Sequence, residues 1–333
     1  MRHFLRLADA APLGVRPLLE RARAYREGHA RADFQGRILG LLFLAPSLRT
    51  RVSFECALHR AGGHALTLDA ARGLWPLETR RGVRMDGTAV EHVDDAVGVL
   101  GRYVDALAVR AFARLEDDRD DHRDELFAAL RERSPIPLVS MESGREHPCQ
   151  ALADVLTIER HHGSLAGRSV LLRWVPHVKP LPKAVANSFL LTAASLGARV
   201  TVAAPAEFDL EEGVWEEAQT YAAASGGAIV RRHERAIPSE TVAVVAKSWG
   251  PHGAPQTLWR AGTHDDWRLG PRDFAAVPEA SLLHCLPVRR NVEIEDALLD
   301  GPQSLILEEA ADRLWVQQAV LAALWGSEER TLP

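Results

Sequence analysis

Cysteine is scarce: three residues, Cys56, Cys149 and Cys285, lie far apart along 333 positions and form no C-x-x-C pair. That argues against a zinc site and against a disulfide framework, and it fits a reducing cytoplasm. No apolar run approaches the roughly 18 residues a membrane helix needs, and positions 1–7 lack the apolar stretch of a signal peptide. The expectation is a soluble, unprocessed, cytoplasmic protein with no membrane role. An excess of one charge sign is also missing, since the formal net charge is -5 with both signs mixed. No long-range field then draws the chain to nucleic acid, and any anion site must be local. There is no internal repeat and no low-complexity segment, which sets solenoids aside. No G-x-G-x-x-G follows a predicted strand, which sets a dinucleotide fold aside. No ligand cluster suggests a metal, so no cofactor is expected.

What is present reads as two globular domains, because the length exceeds that at which one core usually keeps growing. Short runs rich in Val, Ile and Leu recur at 38–44, 65–69, 104–110 and 137–141, with helical patterns between them. The pattern restarts after Cys149, with strand candidates at 169–174, 199–203, 241–246, 281–284 and 304–307. Such alternation predicts an α/β class of two doubly wound parallel sheets. The expected divisions are 1–148, 149–309 and a closing segment 310–333 that packs back on the first domain. A helix over 151–160 would link the halves, a helix over 310–325 would end the fold, and a ligand would bind in the cleft between domains. Two loops, 176–182 and 250–271, are rich in Pro, Gly or His and long enough to be functional.

Three clusters carry chemistry. After the first strand, Ala45-Pro46-Ser47-Leu48-Arg49-Thr50-Arg51 opens a helix over 52–61. Backbone N–H groups, two hydroxyls and a guanidinium would converge there, which suits a phosphate, although Ser47 would also serve as a plain helix cap. The second cluster, Glu142-Ser143-Gly144-Arg145-Glu146-His147-Pro148-Cys149-Gln150, follows a strand end, where His147 and Gln150 would meet a carbonyl and an amide. The third, His284-Cys285-Leu286-Pro287-Val288-Arg289-Arg290-Asn291, sets a thiol beside two cations. A buried structural cysteine is the alternative there.

S-x-R-T-R, H-P-x-Q and H-C-L-P, in this order and at these separations, resemble the motifs of the transcarbamylase family over essentially the whole chain. The resemblance implies that Ser47, Leu48, Arg49 and Thr50 hold the phosphate of carbamoyl phosphate, and that Arg110, His147, Gln150 and Arg313 hold its carbamoyl end. It implies catalytic roles for Arg49, His147 and Cys285, with the Leu286 carbonyl orienting the attacking amine. It further implies a homotrimer in which Trp75, in Gly73-Leu74-Trp75-Pro76-Leu77-Glu78, and the Val90 loop act in a neighbouring subunit. A knot in the second domain also follows from the resemblance alone.

Ordinary ornithine transcarbamylases carry D-x-x-x-S-M-G, whose aspartate pairs with the α-ammonium of ornithine. Here the stretch is Val244-Val245-Ala246-Lys247-Ser248-Trp249-Gly250. A substrate whose α-amino group is acylated has no ammonium to pair, and Lys247 then suits its α-carboxylate. A-K-S-W-G, W-x-x-H-x-K-P-L-P at 174–182 and M-D-G-x-x-x-E-H at 85–92 resemble the N-acetylornithine and N-succinylornithine transcarbamylases. By that resemblance Glu142, His177, Lys247 and Arg289 contact the acylornithine. At Val90 the acetyl-specific enzymes have glutamate and the succinyl-specific ones proline. A valine leaves room and no opposing charge for a second carboxylate, so the expected substrate is N-succinylornithine, within arginine biosynthesis. N-acetylornithine transfer is the enzyme alternative, and a non-catalytic ligand-binding relative is the alternative of another class. Glu293 stands where the acetyl-specific enzymes have a lysine that can be carboxylated. It is left outside the expected site, because it would equally begin a helix.

Overall fold

A computed structural model describes residues 1–69, 75–116, 118–251, 260–326 and 330–331. The chain forms two compact units, one of residues 1–113, 119–149 and 314–333, the other of 114–118 and 150–313. Each is built on one parallel sheet, giving a two-domain α/β fold.

In the first unit, α1 (Val15–Glu27) ends at Gly28, whose φ of 76° needs no Cβ. The strands β1 (Ile38–Phe43) and β2 (His64–Asp69) flank α2 (Leu48–Arg60). A small parallel pair, β3 (Leu77–Glu78) and β4 (Glu91–His92), leads into α3 (Val93–Leu100). Then come β5 (Ala106–Arg110), α4 (Glu125–Arg133) and β6 (Leu138–Glu142). The sheet order is β2-β1-β5-β6, in register at Leu39 with Ala106 and at Phe43 with Arg110. Every residue of β5 and β6 is buried, as expected of strands covered on both faces. The order reverses between β1 and β5, and the carboxyl ends of β1, β5 and β6 carry the first two motif clusters.

The second unit takes in most of α5 (Pro148–His162), then β7 (Ser169–Trp174), α6 (Ala184–Ser195), β8 (Arg199–Ala203), α7 (Glu212–Ser225), β9 (Ala228–Arg232), β10 (Thr241–Lys247) and β11 (Ser281–Leu283). Its order is β9-β8-β7-β10-β11, all parallel, with the reversal between β7 and β10. Helix α6 is buried along nearly its whole length, and its Ala- and Leu-rich sequence leaves no polar stripe for water. Trp174 ends β7 in an aromatic core, with its ring 4.4 Å from Phe208 and its indole N–H donated to the Trp249 carbonyl at 2.9 Å.

The last helix, α8 (Ile306–Trp325), contributes to both units. In the second unit Asp312 accepts from Thr157 and Arg160, each at 2.8 Å. In the first, Gln317 donates to Ser53 and Gln318 to the Ala57 carbonyl, also at 2.8 Å.

Two sequence expectations are corrected, and one strand forms where none was expected. The run at 304–307 is not a strand: Ser304 makes one isolated bridge to Leu282, and the helix begins at Ile306, four residues before its expected start. Three apolar residues in a row have no period that separates strand from helix, and here Glu309 and Asp312 are buried on the helix face. Strand β9 was unanticipated, because as an edge strand it is mostly exposed and offers no apolar alternation. Glu293 does not begin a helix: it sits in a buried turn, and the short helix Asp296–Leu299 starts three residues later. Within 250–271, residues 252–259 lie outside the described residues, as do Gly73 and Leu74. Among the described residues no helix is long and apolar enough to cross a membrane.

Candidate functional site

The phosphate-type cluster lies where β1 hands over to α2. Ser47 is the N-cap of α2, and its hydroxyl accepts from the Thr50 N–H at 3.3 Å. Leu48, in the first turn, is 74% exposed, whereas Thr50 is buried. The cap expected of Ser47 is formed, and a cap is compatible with an anion at the remaining first-turn N–H groups. Arg110 ends β5 beside this turn and reaches Thr50 Oγ1 at 3.5 Å and the Met141 carbonyl at 3.2 Å.

Glu142, at the end of β6, organises the other side of Arg110. Its Oε2 is 2.7 Å from Arg110 Nη2 and 3.8 Å from His147 Nε2, and all three side chains are about nine-tenths buried. The residues expected to read carbamoyl phosphate and the one expected to read acylornithine therefore form one group. Ser143 Oγ accepts the N–H groups of Arg145 and Glu146, each at 3.1 Å, and this turn delivers His147 to the start of α5.

Trp75 and Val90 are both exposed, at 53% and 67%. The Val90 N–H donates to the Pro76 carbonyl at 3.1 Å, and Trp75 Nε1 donates to Glu91 Oε2 at 2.8 Å, so the two segments hold each other.

In the second unit, the residues expected to meet acylornithine converge around one buried carboxylate. Arg289 Nε donates to His177 Nε2 at 3.1 Å, while the Arg289 N–H donates to Glu293 Oε2 at 2.5 Å. Glu293 Oε1 is 3.4 Å from His284 Nε2, and His284 Nδ1 accepts the Leu286 N–H at 3.1 Å. His284 is then the Nε2–H tautomer, with the proton directed at Glu293. Burial opposes the ionised Glu293, but His284, the Arg289 N–H and the charge of Lys247 outweigh it and hold the carboxyl below its usual range. Lys247 ends β10, almost buried. Val244 lies fully buried within the same strand, an odd number of residues away and so on the opposite face.

Cys285 is half-buried, and Leu286 adopts a left-handed φ of 50° that turns the chain after it. Of the two cations expected beside the thiol, Arg290 is engaged elsewhere: it pairs with Asp296 and Asp300 at 2.7–2.8 Å. Gln150 donates from Nε2 to Asp154 and Glu309, and Arg313 is buried on α8.

Asp154, His284, Glu293 and Glu309 were not among the expected site residues. Asp154 had a usable signal, since it stands four residues after Gln150 on one helix face. Glu309 had none, because Gln150 and His284 stand 159 and 25 positions away, while His284 and Glu293, nine positions apart, meet through a turn that no local period marks.

Residues 2–160 match the family model described as aspartate/ornithine carbamoyltransferase, carbamoyl-P binding domain, and residues 182–324 match its Asp/Orn binding domain. The chain is 36% identical to the N-acetylornithine carbamoyltransferase of Xanthomonas campestris pv. campestris, covering 98% of each. It is 33% identical to the N-succinylornithine carbamoyltransferase of Bacteroides fragilis, covering 84% of each. Among solved structures, it is 36% identical to a glutamate-to-valine mutant of N-acetyl-L-ornithine transcarbamylase complexed with carbamyl phosphate and N-succinyl-L-norvaline. That match has a TM-score of 0.91 and covers 97% of this chain and 100% of the other.

Proposed function

The chain belongs to the aspartate/ornithine carbamoyltransferase family and carbamoylates an N-acylated ornithine, and we propose that its acyl group is succinyl. Carbamoyl phosphate and N-succinyl-L-ornithine would give N-succinyl-L-citrulline and phosphate, within arginine synthesis. Val90 carries this reading. It is exposed, uncharged and tied to the Trp75 segment, and the neighbouring carboxylate of Glu91 is occupied by the Trp75 indole. A terminal succinyl carboxylate meets no opposing charge from position 90, whereas a glutamate there would repel it. The glutamate-to-valine mutant that holds N-succinyl-L-norvaline carries the same kind of residue. The three-point difference in identity between acetyl and succinyl relatives reflects the whole fold and not the charge at one pocket.

The δ-amine must attack as a free base, since an ammonium has no lone pair. Lys247, Arg289 and His177 hold the acylornithine by its carboxylate and amide groups, and Cys285 with the Leu286 carbonyl receives the amine. As the amine adds to the carbamoyl carbon, negative charge gathers on the carbonyl oxygen, where Arg49, Thr50 and His147 stabilise it. Arg110 and Gln150 hold the carbamoyl group, helped by Arg313, and Glu142 keeps Arg110 and His147 in place. Collapse expels phosphate, which Ser47, Leu48, Arg49 and Thr50 retain at the start of α2. In this reading the protein works as a homotrimer, the Trp75 and Val90 segments serving a neighbouring copy, and the second unit is knotted near 176–182.

The test compares citrulline-derivative formation from ornithine, N-acetylornithine and N-succinylornithine under one set of conditions. Preference for the succinyl substrate supports the reading. Preference for the acetyl substrate would replace it with the acetyl enzyme, which the relatives in Xanthomonas favour.

A further inference from the structure

Two buried carboxyl groups are left over from the chemistry above. Asp154, on α5, and Glu309, on α8, are fully enclosed, and both face one atom of Gln150: its Nε2 lies 2.7 Å from Asp154 Oδ1 and 2.9 Å from Glu309 Oε1. Both amide hydrogens are thereby used. Among the described residues nothing donates to Gln150 Oε1. The opposite orientation of the amide would place its oxygen 2.7 Å from a carboxylate oxygen of Asp154, an encounter of two acceptors. The second oxygen of Glu309 accepts the His284 N–H at 2.7 Å, so the same carboxyl also anchors the strand end that leads to Cys285.

Resting on the assignment of Gln150 to the carbamoyl end, we propose that the Asp154–Glu309 pair is a positioning device. It locks Gln150 with only its amide oxygen available, so that the site selects an acyl phosphate bearing N–H on its carbonyl carbon. Carbamoyl phosphate has that NH2 group. Acetyl phosphate has a methyl group in its place and would leave the acceptor unpaired. Burial, reinforced by the charge of Asp154, pushes Glu309 well above the usual carboxyl range, while burial brings Asp154 up to about 6. The charge of Arg313 opposes the rise in both.

The experiment titrates the full-length protein with carbamoyl phosphate, acetyl phosphate and inorganic phosphate by calorimetry. It uses the wild type, Gln150→Leu, Asp154→Asn and the double variant. An asparagine at 154 offers an N–H to the Gln150 amide and releases its orientation. Asp154→Asn is expected to weaken carbamoyl phosphate about tenfold, the loss of one hydrogen bond, while acetyl phosphate and phosphate hold within about twofold. Gln150→Leu should do the same, and the double variant should be no weaker than either single change, because the carboxyl acts through the amide. Glu309→Gln removes one acceptor at constant volume and should give a smaller loss in the same direction. It serves in place of Asp154→Asn if that variant does not fold. A folded Asp154→Asn or Glu309→Gln that keeps the wild-type ratio of carbamoyl to acetyl phosphate affinity, while Gln150→Leu collapses it, overturns the positioning role. A Gln150→Leu variant that keeps the ratio overturns the proposal at its root, by removing Gln150 from the carbamoyl end.

Discussion

Arg289 donates from Nε to His177 Nε2 at 3.1 Å, joining two residues that stand 112 positions apart. Because Nε2 accepts, the imidazole is neutral and carries its proton on Nδ1, which it donates to the Lys179 carbonyl at 2.8 Å. Protonating His177 would turn that acceptor into a donor facing a guanidinium.

This arrangement gives a pH dependence of known sign. Burial lowers the His177 pKa below its ordinary value of 6.5, helped by the charges of Lys247 and Arg289. The neutral form, and the stability it contributes, is complete above 6.5 and is lost as pH falls through the lower folded value. The KM for acylornithine should rise across that acid range while the KM for carbamoyl phosphate does not follow. His177→Gln keeps an acceptor that does not titrate and should flatten the rise. A rise that persists in the variant assigns the titration to another group.

Glu142→Ala should destabilise the first unit by about 3 kcal/mol, because it strands Arg110 beside His147 without a carboxylate. Glu142→Gln, still an acceptor, should cost less. The midpoint of urea unfolding followed by a probe in the first unit checks both, and an Ala variant with a wild-type midpoint would mean that water replaces the carboxylate.

Val90→Glu should reduce succinyl-substrate kcat/KM relative to acetyl-substrate kcat/KM by at least about tenfold. Two like charges some 4–6 Å apart at an effective dielectric near 20 differ by about 3–4 kcal/mol from a charge beside a neutral group. Parallel loss of both activities would show that Val90 matters for packing alone.

Gly40→Ala tests the first sheet without touching any site residue. A Cβ on Gly40 would lie 2.9 Å from Leu107 Cδ1, across the β1–β5 pair, so overpacking should cost about 1–3 kcal/mol. Leu107→Val in the same chain should recover part of the loss in urea unfolding, and no recovery would place the strain elsewhere.

Much of this protein was legible because its signals are local. Eight of the nine anticipated strands form as strands, since each is a short apolar run, and the parallel sheets agree with the alternation of strand and helix that most of them show. Ser47 at the head of α2 and the turn before His147 are likewise written in contiguous residues. The misreadings arose where local pattern is weak: at the exposed edge strand β9, and at 304–307, where three apolar residues in a row have no period.

By itself the sequence determined the elements, their parallel arrangement and the motif order that marks the family, because backbone propensity, apolar period and capping act over a few residues. Only the tertiary structure decided that Glu142 serves Arg110 and His147 together, that Glu293 gathers His284 and Arg289, and that Asp154 and Glu309 share Gln150. The reason is physical. A buried charge is tolerable only with partners, and the packing of strands, helices and turns brings those partners together in a geometry the local pattern does not encode.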